Sequence, residues 1–599
     1  MRMTSASLLS VLLLPVMLPV IILSSCASAS TRLSPVRPTG ETRLEDISRE
    51  LETNPARAIH LLGVYRERYD DAEGIETEAR TKEFRSSAIR AIEDTFRKAV
   101  MESRWADAAS LKRTLRALGL GASEPSEPAL ALNLAKSLLA RDSVVPAFIA
   151  ASRALISGSF GPDSALIFLE RAVRERQRRS AAFFLRIVDG AGLAVPDGDR
   201  LYASGQDAPS DMIKGVATVW VDRGLRIEKG VGIPDRVIGS AFFVDTQGHL
   251  VTNYHVIQSE VDPEYEGYSR LFIRMGDSSS PRIPAKVIGW DPIMDLALIK
   301  AEITPDFVFS VLDEANLRPG EKVLAIGSPA GLESTVTAGI VSATGRRFLQ
   351  LGDVVQIDAA VNHGNSGGPV VDAEGRLAGV VFAGIEQFEG LNFAVPVSRL
   401  AAVLPDLYSG GLVERSWLGL TLHESGDGIE IVYVAPGTPA AEQLISEEIR
   451  ILTIDGKKAV SVTELQDMLL IRRPGELVEL SLSDGKTYAL ICDPRPDSPL
   501  LEASKKDTRE RLAVPLYGLL LAPSGGGPFS PQFIVKRVLR GSIADEAGLS
   551  ENDPVTVNGF RVDKEGGWAM LDIFVKKRRM GYLESVMRLP AYLDISNTL

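Results

Sequence analysis

The character of the sequence changes near residue 210, and that change limits the possible folds most. Before it, apolar residues recur at helical spacing: Leu44, Ile47 and Leu51 share one face, and Ile59, Leu62, Tyr65 and Tyr69 share another. Asn54-Pro55 reads as an N-cap followed by proline at N1. Trp105 to Leu118, Leu130 to Ala140, Ala147 to Ile156 and Ser164 to Arg174 continue the helical pattern. After residue 210, short runs rich in Val, Ile, Gly and Thr alternate with turn residues, as in Val216 to Val221 and Gly239 to Val244. Regularly spaced short strands predict an all-β barrel or sandwich. No single fold serves both periods, and 599 residues at about 100 to 200 per domain allow three to five domains.

The expected divisions are a signal segment over 1–25, a tether over 26–43, and a helical domain over 44–205. A β domain over 210–405 and two further β-rich segments, 413–495 and 512–599, follow. The last two are separated by a polar linker, Asp493 to Arg511, carrying Pro494, Pro496 and Pro499. The helical part reads as stacked hairpins resembling tetratricopeptide-type repeats, without a clean period. With 45% hydrophobic and 24% charged residues, the chain is neither largely disordered nor a polytopic membrane protein. Its 66 basic and 78 acidic side chains give a net charge of −12, which disfavours nucleic acid as a partner.

Arg2 precedes an apolar run from Leu8 to Leu23, too short for a stable bilayer span and of the length of a secretory h-region. The run ends in Leu23-Ser24-Ser25-Cys26, which looks like a bacterial lipobox. Acylation of Cys26 is therefore expected to hold the chain to a lipid bilayer, in the cell envelope and facing the periplasm. The second cysteine, Cys492, lies in a strand-like run, Tyr488 to Cys492, and reads as a buried small hydrophobe.

Gly364-Asn365-Ser366-Gly367-Gly368-Pro369 carries the strongest chemical signal. Glycines on both sides of a serine allow a tight turn that exposes the hydroxyl and aims backbone N–H groups inward. A serine hydroxyl needs a base, and the chain has five histidines. His60 lies in the helical region, His423 in a later β segment, and His249 in a turn; His363 is too close in sequence to Ser366. His255 remains, following a strand and opening a new element. Asp295, opening the apolar run Leu296 to Ile299, is well placed to orient the imidazole, whereas Asp291 beside Pro292 is expected to be solvated. The order His, Asp, Ser is that of chymotrypsin-fold proteases. The histidines are too scattered for a zinc set, and no cofactor is expected.

These pieces, with Thr252 to Ile257, Asp295 to Leu298, Thr337 to Ser342 and Asp358 to Pro369, resemble the HtrA/Deg family of serine proteases over about 215–400. The resemblance implies two six-stranded β-barrels with the triad between them. It assigns His255 as base, Asp295 as its orienting acid and Ser366 as nucleophile. Gly364 and Ser366 N–H groups, helped by Asn365, would form the oxyanion hole. A neutral Asn365 excludes the ion pair by which digestive relatives insert a new N-terminus. Gly345 to Gly352 falls where the family has its sensor loop, with Arg346 as sensor or, equally, as a solvated turn residue. Val361, Ala383 and Gly384 would border the specificity pocket and suit small or medium aliphatic side chains. The resemblance also implies trimers built through the protease domain.

Behind the protease, Trp417-Leu418-Gly419-Leu420, Ile429 to Val434 and Ile451 to Lys457 resemble a PDZ domain. Tyr517-Gly518-Leu519-Leu520, Phe533 to Val535 and Val555 to Gly559 repeat the pattern. Leu418, Gly419 and Leu420, and Gly518, Leu519 and Leu520, are the expected carboxylate loops for peptides added as a strand. The first copy departs from the family pattern at Gln443 to Glu448, and the second has Asn552-Asp553 where Gly-Asp is usual. The expected architecture is thus a helical-hairpin region, a chymotrypsin-like double β-barrel and two α+β PDZ domains. The expected activity is endoproteolysis of unfolded or regulatory polypeptides; a non-proteolytic chaperone or scaffold on the same modules is the alternative.

Overall fold

The computed structural model describes residues 40–599 apart from 70–74, 123, 157, 277–278, 313–316, 329–334, 348–352, 363, 385–391, 528–529, 565, 579–581 and 594–596. Cys26, His363 and most of the expected sensor loop lie outside the described residues.

Helices fill the first part of the chain. Pro55–Tyr69 begins as the sequence predicts: Arg57 N–H donates to Asn54 Oδ1 at 3.1 Å, and proline at N1 leaves no extra donor orphaned. Trp105–Ala117, Glu127–Ala140, Val144–Ile156 and Pro162–Arg174 match the periodic runs to within a turn. Phe148, Phe168 and Phe184 stack into one buried aromatic cluster. That cluster is continuous with Phe242, Leu296, Phe309 and Leu404 of the β region, so the helices and the β region share a core.

The β region contains two rings. Strands β1 (Val216–Glu228), β2 (Val231–Phe243), β3 (His249–Thr252), β4 (Arg270–Met275), β5 (Arg282–Asp291) and β6 (Leu296–Ala301) pair in the order β5-β4-β1-β2-β3-β6, and a β5–β6 pairing closes the ring. Strands β7 (Lys322–Gly327), β8 (Thr335–Arg347), β9 (Asp353–Ile357), β10 (Pro369–Asp372), β11 (Leu377–Gly384) and β12 (Asn392–Pro396) form the second closed barrel. Full closure leaves neither ring an unpaired edge. Helix Val397–Ser409 follows and buries Leu400, Val403, Leu404 and Leu407.

The first C-terminal module is a sheet of Leu420–Ser425, Gly428–Val434, Ile449–Ile454, Leu477–Leu482 and Thr487–Ile491, with helix Val462–Leu470 between its third and fourth long strands. The second is an antiparallel sheet of Leu519–Gly527, Ser530–Val538, Pro554–Asp563, Trp568–Arg578 and Tyr582–Tyr592. The segment expected to be a polar linker is folded: it holds helices Pro499–Ser504 and Arg509–Tyr517, with Leu500, Leu512 and Leu516 buried. Pro499 stands in the first turn of the first of these helices, where its missing N–H costs no hydrogen bond.

The helical region also grips the first of these modules. Glu476, 3% exposed, accepts from Ser110 Oγ at 2.7 Å and Arg113 Nε at 2.9 Å. His60 is fully buried, with Nε2 2.9 Å from Glu442 Oε2 and Nδ1 3.0 Å from Gln443 Nε2. Cys492 is free and 1% exposed, and desolvation pushes its thiol up to about 12, as an inert buried hydrophobe requires.

Candidate active site

His255 sits on the first turn of helix Tyr254–Val261, which leaves β3 through Asn253. Val256 and Ile257 anchor that helix in the first barrel. Burying each stabilises it by roughly 1.5 to 3 kcal/mol. The opposite face, with His255, stays open: the imidazole is 44% exposed. Asp295 lies just before β6 in a left-handed backbone conformation, φ 50°, which aspartate tolerates better than most residues. Its Oδ2 is 2.7 Å from His255 Nδ1, and its Oδ1 accepts His255 N–H at 2.9 Å. Asn253 Nδ2 donates to the Asp295 carbonyl at 2.8 Å, fixing the acid from behind. Desolvation pulls the imidazole pKa down, but the charge and hydrogen bond of Asp295 outweigh it, so the net direction is up.

The second barrel carries the Ser366 turn up against the helix that holds His255. The Ser366 carbonyl accepts Ser240 N–H at 2.7 Å; behind it Gly367 N–H donates to Val381 O at 2.8 Å and Val381 N–H to Gly368 O at 2.9 Å. Gly367 has φ 86°, and a Cβ there would lie 2.2 Å from Ser240 O and 3.1 Å from Asn253 N. Only glycine permits that approach, and Asn253 is two residues from His255, so the serine turn and the histidine helix abut. Ser366 Oγ donates to Phe382 O at 3.4 Å.

The turn also sorts the expected oxyanion donors. Asn365 N–H bonds to Asn362 O at 3.0 Å, and the buried Asn365 side chain lies over Gly327, where a Cβ would be 2.6 Å from Asn365 Oδ1. The Asn365 N–H is thus used within the turn, and its side chain packs against the Gly327 backbone. Among the described residues, neither Gly364 N–H nor Ser366 N–H donates to a backbone carbonyl. Ser240 Oγ donates to Gly364 O at 2.6 Å and accepts Ser328 N–H at 3.0 Å, holding that glycine's peptide.

The other expected residues fall as follows. Val361 is half-buried against the second barrel's core, and Ala383 and Gly384 pair with Phe393 and Asn392 just beyond Phe382. Arg346 is exposed near the end of β8, opposite Val354. His249 starts β3, and its Nδ1 is 2.7 Å from Asp245 Oδ2, which also accepts Tyr408 O–H at 2.7 Å. His423 lies opposite Glu430 in the first C-terminal sheet. Asp291 corrects an expectation: it is fully buried, caps Ile293 and Met294 N–H groups at 3.0 and 3.1 Å, and pairs with Arg415. Sequence reasoning missed the holding roles of Ser240 and Asn253; polar residues inside otherwise apolar strands were the available signal.

Of the two expected carboxylate loops, Leu418, Gly419 and Leu420 direct their N–H groups to Leu599 O at 3.2, 2.9 and 3.1 Å. In the second loop Gly518 differs. It ends helix Arg509–Tyr517 in the left-handed conformation, and its N–H is bonded to Val514 O at 2.9 Å. Leu519 and Leu520 are members of the following strand, opposite Val538 and Arg537.

Comparison with known proteins agrees with this architecture. A trypsin-like peptidase domain matches residues 239–380, a PDZ domain 411–483, a TP0546 family PDZ domain 500–593, and a domain of unknown function 39–138. A probable periplasmic serine endoprotease DegP-like from Marinomonas sp. (strain MWYL1) is 31% identical over 355 residues, covering 56% of this chain and 73% of the relative. Its counterpart from Bartonella henselae (strain ATCC 49882 / DSM 28221 / CCUG 30454 / Houston 1) is 34% identical over 351 residues, covering 54% and 67%. The solved structure of an HtrA-type protease, AlgW with decapeptide, aligns over 48% of this chain and 97% of its own at 28% identity, with a TM-score of 0.40. The closed double barrel, the paired His255 and Asp295 and the two relatives together place this chain in the DegP-like, HtrA-type family of serine endoproteases.

Proposed function

We propose that this chain cleaves unfolded or regulatory polypeptides in the periplasm by an acyl-enzyme mechanism carried by Ser366, His255 and Asp295. The 2.7 Å contact between His255 Nδ1 and Asp295 Oδ2 carries the reading, because it fixes the tautomer that leaves Nε2 free as a base. His255 takes the Ser366 proton as Oγ attacks the peptide carbonyl, then returns it to the leaving amine. Asp295 stabilises the imidazolium between those steps. Gly364 and Ser366 N–H groups bind the oxyanion, each worth about 3 kcal/mol of barrier. Val361, Ala383 and Gly384 border the specificity pocket, and Arg346 senses the activation state.

The domain limits given above, trimer formation and acylation of Cys26 belong to the same proposal. Loss of membrane association in Cys26→Ser tests the last of these. Relatives named as endoproteases do not favour a chaperone without proteolysis. The decisive assay is casein digestion by the wild type and by Ser366→Ala. The variant should lose on the order of 10⁵-fold or more in kcat. Equal cleavage by the two proteins rejects the assignment.

A further inference from the structure

The groove of the first PDZ domain is filled by this chain itself. Residues 597–599 lie between strand Leu420–Ser425 and helix Val462–Leu470. Thr598 bridges Thr421 in antiparallel register, Leu422 N–H donates to Asn597 O at 2.9 Å, and Leu599 N–H donates to Leu420 O at 2.8 Å. Asn597 Nδ2 donates to Leu422 O at 2.7 Å, and from the helix Gln466 Nε2 donates to Thr598 O at 3.2 Å. The Leu599 side chain is 3% exposed, in one cluster with Leu420, Val462, Leu465 and Leu469.

Three backbone donors converge on a single Leu599 oxygen. These three N–H groups form a cradle for one oxygen atom. Gly419 makes the cradle possible: its φ is 88°, and a Cβ there would lie within 2.2 Å of the Thr438 side chain. The cavity alongside Leu599 is lined by Arg399, Arg415 and Arg495 among others. The second PDZ domain has no equivalent among the described residues. Gly518 N–H is used by a helix end, and the hairpin joining Pro554–Asp563 to Trp568–Arg578 replaces the groove helix.

We propose that residues 597–599 are a built-in ligand of the first PDZ domain. Outside ligands of that groove are extended peptides ending in a free-carboxylate leucine or similar aliphatic residue, and they bind by displacing it. The proposal rests on reading Leu418 to Leu420 as the carboxylate loop. A tethered segment acts at an effective concentration on the order of millimolar, so only peptides that compete at that level gain entry.

The test uses a labelled peptide with the sequence of residues 593–599 and a free carboxylate, followed by fluorescence anisotropy. The proteins are the full chain carrying Ser366→Ala, which prevents digestion of the probe, and the same chain ending at Ser596. The shortened chain should bind at least about tenfold more tightly than the full chain, and an amide-capped peptide should bind neither. A third chain carrying Leu599→Lys keeps the backbone of the segment but takes the apolar side chain out of the groove, and should behave like the shortened one. It decides the matter should the shortened chain fail to fold. Equal affinity for all three overturns self-occupancy while leaving the groove intact as a peptide site. Absence of binding to any of them overturns both. Neither result bears on the casein assay.

Discussion

Two opposing effects act on His255, and with His255 as the proposed base their balance is expected to set the pH at which the enzyme works. Burial lowers its pKa, the Asp295 charge and hydrogen bond raise it, and the raising effects win. The base must be neutral to take a proton, so activity is present above the raised pKa and falls away as the pH drops through it. The acid limb of kcat/KM, which reports the free enzyme, is therefore expected above 6.5, the ordinary histidine value. A limb at or below 6.5 in a pH–rate profile contradicts the assignment. His255 was legible in the sequence because only five histidines compete for the role and four sit in unsuitable contexts. Asp291 was not legible: its environment is decided by Arg415, 124 residues away, and no local pattern reveals a partner at that distance. Gln443 was legible only as a departure. The structure gives its reason, since its amide holds His60 and donates to Ala489 O at 2.7 Å.

At the scale of elements, the two PDZ domains keep one turn with different residues. Leu444 and Glu448 in the first have φ 55° and 63°; Gly548 and Asn552 in the second have φ 75° and 66°. The turn thus survives where its usual glycine does not, at a cost borne by a left-handed leucine. Leu444 is 50% exposed and has little packing to lose. Leu444→Gly is expected to stabilise the domain by about 0.5 to 1 kcal/mol, the left-handed strain relieved less the entropy of glycine. Denaturant unfolding measures it, and a destabilised variant would show that leucine's contacts outweigh the strain. The motifs of the first half of each domain were readable because they are turn residues at fixed offsets. The second half of the second domain was not: an alternating strand pattern does not say that a hairpin has taken the place of a helix.

The whole molecule is held by contacts between regions that a reading by domain keeps apart. Glu476 joins the helical region to the first PDZ domain, receiving Ser110 and Arg113 from one side and Arg472 from the other. Glu476→Ala leaves two arginines without this buried partner and is expected to cost about 3 to 5 kcal/mol. Calorimetry should show the transition of that joint unit moving down, and an unchanged transition would mean the charges find water instead. The Asp291–Arg415 pair has a wider consequence. One end of the strap Asp291 to Asp295 holds the His255 imidazole, and the other is paired with the approach of the first PDZ domain, where Arg415 also reaches Leu470 O at 3.1 Å. Ile293 and Met294, in the middle of the strap, line the cavity beside Leu599. The seat of that domain and the His255–Asp295 contact therefore stand on one stretch of five residues.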